Sequence, residues 1–505
     1  MVADEDPHNG QVDQESLLPE LSFQAVEYGH APMETGPLWE LPAELSTIGQ
    51  LRFDCLYPPQ ALAFQYLVSV TRKFAMKRFK KPAVWVASVF FPALLLGCGA
   101  PPETADLIIT HARVIDGTGA VYEDATIAIT GERIQTITDA ETPFNATLTI
   151  DARSKTVLPG LIDTHIHFGV GSAVDEESLA EFLNNGLPAN LQEYLSHGVT
   201  TIKSTGDIAE PYLKVREQVA AGEIQGPRIF LVGPTLTAPG GHPSATVLKD
   251  NPWRSAGGSR ELTSETEART MVRQLSQLGV DAIKFVYQGS TDENKPYLWR
   301  PGVPVRKLTS PIMRAIIDES HKHQLRVTAH TNHLEDALEV LEAGCDGLEH
   351  GVMRTRLQDD KLATLLIERQ ASYAPTLSLY QAGRTGSEQD SDRLETAMAN
   401  LKQLSEAGVR IVLGTDTLSR GTPPGSTTLN ELELMVRAGL SPEQVIQAAT
   451  RNAAEHLGKL DELGTLEPGK LADLIIVDGD PLKDISVIHN IEVVIKGGKV
   501  VVDHR

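Results

Sequence analysis

The sequence predicts an α/β protein, a (β/α)8 TIM barrel with a small β-sandwich domain formed from both chain ends. Three observations predict it. Between Gly160 and Leu457, short apolar or β-branched runs alternate with helical patterns, as parallel strands joined by helices do. Polar side chains of metal-ligand type stand at or just beyond the ends of several runs, the layout of the C-terminal face of such a barrel. On either side lie β-rich pieces too short to fold alone, because a domain below roughly 40 residues rarely buries enough apolar area. Pairing the two ends removes that difficulty.

In chain order, residues 1–75 are acidic, proline-punctuated and without a period, and read as a spurious or disordered extension. From Met76 the chain changes character. Met76-Lys77-Arg78-Phe79-Lys80-Lys81 is basic, residues 83–96 are apolar, and Gly97-Cys98-Gly99 follows. A basic segment, an apolar segment of ~7–15 residues and a small residue mark a signal peptide. Residues 76–97 look like a bacterial lipoprotein signal, with Leu95-Leu96-Gly97-Cys98 as the lipobox and Cys98 as the acylated first residue. Such a signal works at an amino end, so translation is expected to start at Met76. A lipid on Cys98 makes the membrane a partner and places the protein in the bacterial cell envelope, at the outer membrane or the periplasmic face. The apolar run falls short of the ~20 residues that span a bilayer.

Residues 98–158 are expected to supply the first part of the small domain. Leu107-Ile108-Ile109, Val114-Ile115, Thr126-Ile127-Ala128-Ile129 and Ile134-Gln135-Thr136-Ile137 read as strands, with turns at Asp116-Gly117 and Gly131-Glu132. Residues 159–458 form the barrel. Its strands are expected near Gly160–His167, Val199–Lys203, Arg228–Gly233, Ala282–Val286, Arg326–His330, Gly347–His350, Ser372–Thr376 and Arg410–Asp416. A helix then starts on Ser441 as N-cap, with Pro442 at the first position, Gln444 closing a capping box and Leu440 facing Val445. Ala448, Ala449 and Leu457 continue its apolar face. Residues 459–505 return to β structure, with Leu474-Ile475-Ile476-Val477 and the run from Val493 to Val501.

A formal charge of −22 argues against a nucleic-acid partner, which needs clustered lysine and arginine. Of three cysteines, Cys55 lies in the extension and Cys98 is the lipid site, so Cys345 has no disulfide partner. It reads as a small buried side chain. Assembly with further copies of the chain is left open.

Chemistry concentrates at Pro159-Gly160-Leu161-Ile162-Asp163-Thr164-His165-Ile166-His167. Side chains two apart on a strand share a face, so His165 and His167 can share one metal ion. Taken alone, such a pair is also what two solvated polar side chains look like. Further candidate ligands at or near strand ends are Lys284, His330, His350 and Asp416. Lys284 stands out, since an ammonium has three donors and no lone pair. Its carbamylation by carbon dioxide would need the neutral amine, which burial beside cations favours.

The order His-x-His, Lys, His, His, Asp resembles the binuclear members of the amidohydrolase superfamily. So do Gly198-Val199-Thr200-Thr201, Leu348-Glu349-His350-Gly351, Gly414-Thr415-Asp416-Thr417 and Gly469-Lys470-Leu471-Ala472-Asp473-Leu474, from about Ala105 to the C-terminus. The resemblance implies two divalent metal ions, taken as zinc. His165 and His167 would hold one with Asp416, His330 and His350 would hold the other, and a carboxylated Lys284 would bridge them. It further implies that a hydroxide between the metals cleaves a C–N bond of a small-molecule substrate, with Asp416 as proton shuttle. Ala238-Pro239-Gly240-Gly241-His242-Pro243 resembles a Gly-Gly-His element of the prolidase-like and imidazolonepropionase-like branch. That points to dipeptides or N-acyl amino acids as substrates and to His242 as a substrate contact. Tyr287, Gln288 and His333 are further candidates. The segment His330-Thr331-Asn332-His333 departs from relatives that carry a tyrosine shortly after this histidine.

Two other readings remain at this point. A cyclic amide, lactone or deaminase substrate keeps the enzyme class, although mononuclear deaminases generally lack the bridging lysine. A non-catalytic surface-binding lipoprotein keeps the barrel, and the intact ligand set argues against it.

Overall fold

Alternation of apolar and polar residues in the amino-terminal part gives strands with one buried face. The computed structural model describes residues 103–139, 142–168, 173–292, 297–300, 303–381, 388–417 and 422–505. The extension, the signal and Cys98 lie outside the described residues. Strand β1 (Glu103–Ile115) buries Leu107, Ile109, Ala112 and Val114. The register shifts between Ile109 and Ala112, where His111 has φ +55°, and this bulge re-phases the inward face. Antiparallel to β1 runs β2 (Val121–Thr130), which pairs in turn with β3 (Arg133–Asp139). Strand β4 (Phe144–Asp151), not foreseen in the sequence, pairs parallel with β1, and β5 (Thr156–Pro159) leads into the barrel.

Eight parallel staves make the barrel. They are β6 (Leu161–Ile166), β7 (Val199–Ser204), β8 (Arg228–Leu231) extended by β9 (Thr235–Thr237), then β11 (Ala282–Val286), β14 (Arg326–His330), β15 (Gly347–Glu349), β16 (Ser372–Ala374) and β17 (Arg410–Ile411). Between them come β10 (Ser259–Glu261), paired with β9, and a hairpin of β12 (Tyr297–Arg300) and β13 (Val303–Val305). Two seams close the ring. The Asp281 amide donates to Leu231 O, and Ile166 pairs in parallel with Thr417. Staves β6, β7 and β11 are buried along their whole length, as strands covered on both faces are.

The last stave is shorter than expected. Regular pairing stops at Ile411, and the backbone from Val412 to Asp416 keeps irregular bonds to both neighbouring staves, Val412 N to Tyr373 O on β16 and Asp416 N to His165 O on β6 at 2.8 Å, while Leu413 N turns out to Ala448 O. The helix that follows begins as expected, with Ser441 and Gln444 in a reciprocal capping box and Pro442 in the first turn. It breaks at Thr450 into Pro442–Ala449 and Arg451–His456. Ala448 O accepts the stave amide, and Thr450 Oγ1 donates back to Ile446 O at 2.7 Å, which interrupts the helical ladder.

After the barrel, β18 (Leu474–Val477) returns to the small domain and pairs antiparallel with β5, Ile476 facing Val157. The expected run from Val493 to Val501 is a hairpin of β19 (Ile491–Lys496) and β20 (Lys499–Asp503). Gly497 and Gly498 both have positive φ at its turn, and a Cβ on Gly498 would sit 2.1 Å from Gly131 O. One core of Ile109, Ile127, Val157, Leu474, Ile476, Val493 and Ile495 therefore unites both chain ends. Cys345 is buried and unpaired, its thiol donating to Val327 O.

Candidate metal centre

His165 is the penultimate residue of stave β6, and His167 follows its end at Ile166. Asp416 reaches them from beyond the last stave, its amide held by His165 O. His167 Nε2 lies 3.2 Å from Asp416 Oδ1 and His165 Nε2 lies 3.7 Å from it. One ligand atom from each residue falls within 4.8 Å of the other two. Two imidazoles and a carboxylate are the donor types a divalent zinc-like cation takes.

Tautomer and charge fit that reading. His165 Nδ1–H donates to Glu349 Oε2 at 2.6 Å, which turns the Nε2 lone pair into the cluster. Burial pushes the His165 imidazolium down to about 4, helped by the Lys284 charge, so the ring is neutral. For Asp416, burial opposes ionisation, yet the His167 hydrogen bond and the adjacent histidines hold its carboxyl well below the usual range.

Lys284, on β11, is buried with its Nζ 3.1 Å from His165 Nε2. Burial pushes its ammonium down to about 8. His350 stands beside His165 at 4.6 Å between ring centroids and beside His330 at 4.4 Å. His350 Nδ1 contacts Thr376 Oγ1 at 3.0 Å, and His330 Nε2–H donates to Gln288 Oε1 at 2.7 Å. Burial holds both rings far below the usual histidine value. Three non-glycine residues at these stave ends have left-handed backbone: His350 (φ +67°), Thr376 (+47°) and Asp416 (+58°). Such conformations cost of order 1–3 kcal/mol each and persist where the surroundings over-determine them.

Residues 156–501 match the model described as the amidohydrolase family. The chain belongs to that family. Ochratoxinase of Aspergillus niger is 27% identical over 442 residues, covering 79% of this chain and 87% of the relative. Imidazolonepropionase of Geobacillus sp. (strain WCH70) is 23% identical over 449 residues, covering 80% of this chain and 95% of the relative. Among solved structures, an Xaa-Pro dipeptidase with methionine bound in its active site matches with TM-score 0.67 and 28% identity, over 78% of this chain and 99% of that one. With the polar cluster at its stave ends, the protein is a metal-dependent amidohydrolase acting on carbon–nitrogen bonds.

In this amidohydrolase the candidate substrate residues fall differently. His242 reaches the cluster, its ring 4.8 Å from that of His330 and its Nδ1 2.6 Å from Thr246 Oγ1. A Cβ on Gly241 would sit 2.4 Å from Thr237 Oγ1, so the loop needs glycine there to bring His242 in. Tyr287 faces the other way, a correction to the sequence reading. It is buried, its hydroxyl 3.3 Å from Ser310 on the helix Ser310–Lys322 and its ring under Lys307. The two-residue strand period explains this: Gln288 shares the Lys284 side and touches His330, and Tyr287 takes the opposite side. His333 precedes the helix Leu334–Glu342 and packs edge-on against Tyr297, 5.4 Å between centroids.

A buried polar chain beneath the cluster was missed in the sequence. Lys203 Nζ donates to Glu349 Oε1 at 3.1 Å and to His456 Nε2 at 2.6 Å, and His456 Nδ1–H donates to Ser372 Oγ at 2.8 Å. Burial opposes the Glu349 charge, but the Lys203 cation and His165 hold its carboxyl well below the usual range. Asp163 accepts from Thr415 Oγ1, Thr428 Oγ1 and the His165 amide at 2.8, 2.9 and 3.1 Å, anchoring the first and last staves to each other. A lysine inside a strand run, as at Lys203, was the available signal.

Proposed function

We propose that this amidohydrolase cleaves the amide bond of dipeptides or N-acyl amino acids, using two zinc ions held by His165, His167, Lys284, His330, His350 and Asp416. The observation that carries the reading is the buried Lys284 amine, 3.1 Å from His165 Nε2 at one edge of the His165, His167 and Asp416 cluster, with His330 and His350 close by. As a neutral amine, Lys284 can attack carbon dioxide, forming an N–C bond and releasing a proton, to become an anion with ligand oxygens. Because His330 Nε2 is engaged by Gln288, its ligand role falls to Nδ1. Bound divalent ions supply carbonyl polarisation and a water acidic enough to attack near neutral pH. Asp416 accepts the proton of the attacking water and passes it to the leaving nitrogen, so a carboxylate and an amine result. His242 supports the substrate carbonyl or carboxylate from its glycine-rich loop. The likeness to an Xaa-Pro dipeptidase supports this substrate class.

Elemental analysis after chelator-free purification is expected to return close to two divalent ions per chain, since a single catalytic site usually takes three protein ligands plus water. Lys284→Ala is expected to lower that occupancy, and a small carboxylic acid to restore part of it. One ion per chain in the wild type would remove the binuclear reading. Hydrolysis confined to lactones in a screen with dipeptides and N-acyl amino acids would remove the substrate class.

We also propose that residues 76–97 are a lipoprotein signal and that Cys98 carries the lipid, with Gly99 after it directing the protein to the outer membrane. Among the described residues no helix is long and apolar enough to cross a membrane. Wild-type protein is expected in the membrane fraction, and Cys98→Ala as an unprocessed precursor, because several acyl chains hold where one gives only marginal binding. Soluble wild-type protein with an unmodified Cys98 would end this reading.

A further inference from the structure

Beyond Gln288 lies a set of hydrogen-bond donors with no anion to receive them. Tyr297, on the β12–β13 hairpin, takes a hydrogen bond at its hydroxyl oxygen from Gln288 Nε2 at 2.7 Å and another from Arg354 Nη2 at 2.8 Å. A hydroxyl offers two acceptor sites and one proton, so with both acceptor sites filled the Tyr297 O–H must donate elsewhere. The Arg354 guanidinium stands 5.7 Å from the centre of the Tyr297 ring, its Nε buried and without a hydrogen-bond partner. His333 Nε2, on a ring packed edge-on against Tyr297, is likewise buried and unpartnered. Among the described residues no carboxylate pairs with Arg354; Asp392 lines the same cavity without reaching it. A guanidinium, a phenolic O–H and an imidazole nitrogen thus lie side by side, and among the described residues no carboxylate is hydrogen-bonded to any of the three.

Their position relative to the metal centre is fixed by one side chain. The same Gln288 amide that donates to Tyr297 accepts from His330 at 2.7 Å. In a dipeptide or N-acyl amino acid, the free carboxylate lies three bonds from the scissile carbonyl carbon, through the nitrogen and Cα. With that carbonyl at the cluster beside His330, Gln288 is the side chain that links the scissile bond's surroundings to Tyr297 and, through it, to Arg354.

We propose that Arg354, with Tyr297 and His333, forms the subsite that recognises the free α-carboxylate of the leaving amino acid. The inference rests on the reading of the enzyme as a hydrolase of amino-acid conjugates. It assigns carboxylate recognition to a guanidinium on the loop after β15 and a tyrosine brought in by the β12–β13 hairpin.

The test compares a matched dipeptide and its C-terminal amide on the metal-loaded enzyme, with calorimetric binding of phenylalanine and phenylalaninamide as a second readout. Wild type is expected to favour the acid in both. Arg354→Met should lose about 10- to 100-fold in kcat/KM on the acid, the range of a hydrogen bond to a charged group, and change little on the amide. Arg354→Lys should recover part of the loss, and Tyr297→Phe should show a smaller loss with the same acid selectivity. Metal content should stay at the wild-type value in all three variants. Equal losses on acid and amide, or a wild type indifferent to the carboxylate, would overturn the subsite and leave the hydrolase reading standing. If no dipeptide or acyl amino acid were cleaved but phenylalanine still bound over its amide through Arg354, the subsite would stand and the substrate reading would fall.

Discussion

Asp416→Asn is expected to lower the turnover number by at least the ~10²-fold typical of losing a general base, with a smaller change in KM. Asparagine keeps the size and one oxygen, and the backbone bond from residue 416 to His165 O does not depend on the side chain. What it removes is a carboxylate that its surroundings keep ionised, 3.2 Å from His167 Nε2. Steady-state kinetics on a cleaved dipeptide, with metal content measured on the same sample, separates loss of the proton acceptor from loss of the ion. Full activity in Asp416→Asn would remove the proton shuttle and the mechanism built on it.

Lys203→Met is expected to destabilise the metal-free protein by about 3–5 kcal/mol, because it leaves the buried Glu349 carboxylate without its cation. It also deprives His456 Nε2 of its donor. Metal affinity should fall roughly 10–100-fold, the usual cost of disturbing a group that orients a ligand. The double variant Lys203→Met/Glu349→Gln separates the two effects. Stability should largely return, since no buried charge remains, while metal retention stays reduced because an amide is a weaker acceptor for His165 Nδ1–H than a carboxylate. Denaturant unfolding and a metal competition assay read the two quantities. A single variant with wild-type stability and metal content would show that the buried chain does not support the ligand.

The legible parts of the protein are those whose signals are local. Each stave announces itself by a short apolar run, and the helix at Ser441 by a capping box that fits within four residues. His165, His167 and Asp416 were legible because a stave end is both a sequence boundary and the face of the barrel. Long-range contacts were not. Glu349 meets Lys203 across 146 residues and Lys203 meets His456 across 253, and nothing near any of the three names its partner. His456 carries no local signal of its own, and the helix break at Thr450 is what precedes its buried place beside Lys203 and Ser372. The Tyr287 reading failed for a simpler reason, since proximity to Lys284 was weighed above the alternation of strand faces. Pro301-Gly302 between β12 and β13 is a turn signal in the sequence, but nothing near Tyr297 names Arg354, 57 residues away, as its partner.

The small domain has a consequence for how the protein is made. Thr156 Oγ1 donates to Gly479 O, 323 residues farther along the chain, and all the pairing between β5 and β18 spans a similar interval. At the ~5–20 residues per second of synthesis, β5 emerges roughly fifteen seconds to a minute before its neighbour exists. During that time the β5 backbone offers an unpaired edge with Val157 and Leu158 uncovered, a template for pairing with another chain. The barrel can gather its staves in chain order, but the sandwich cannot close until the barrel is complete. The β5 edge is therefore exposed in the incomplete chain, and a block to synthesis anywhere before Leu474 would leave it open permanently.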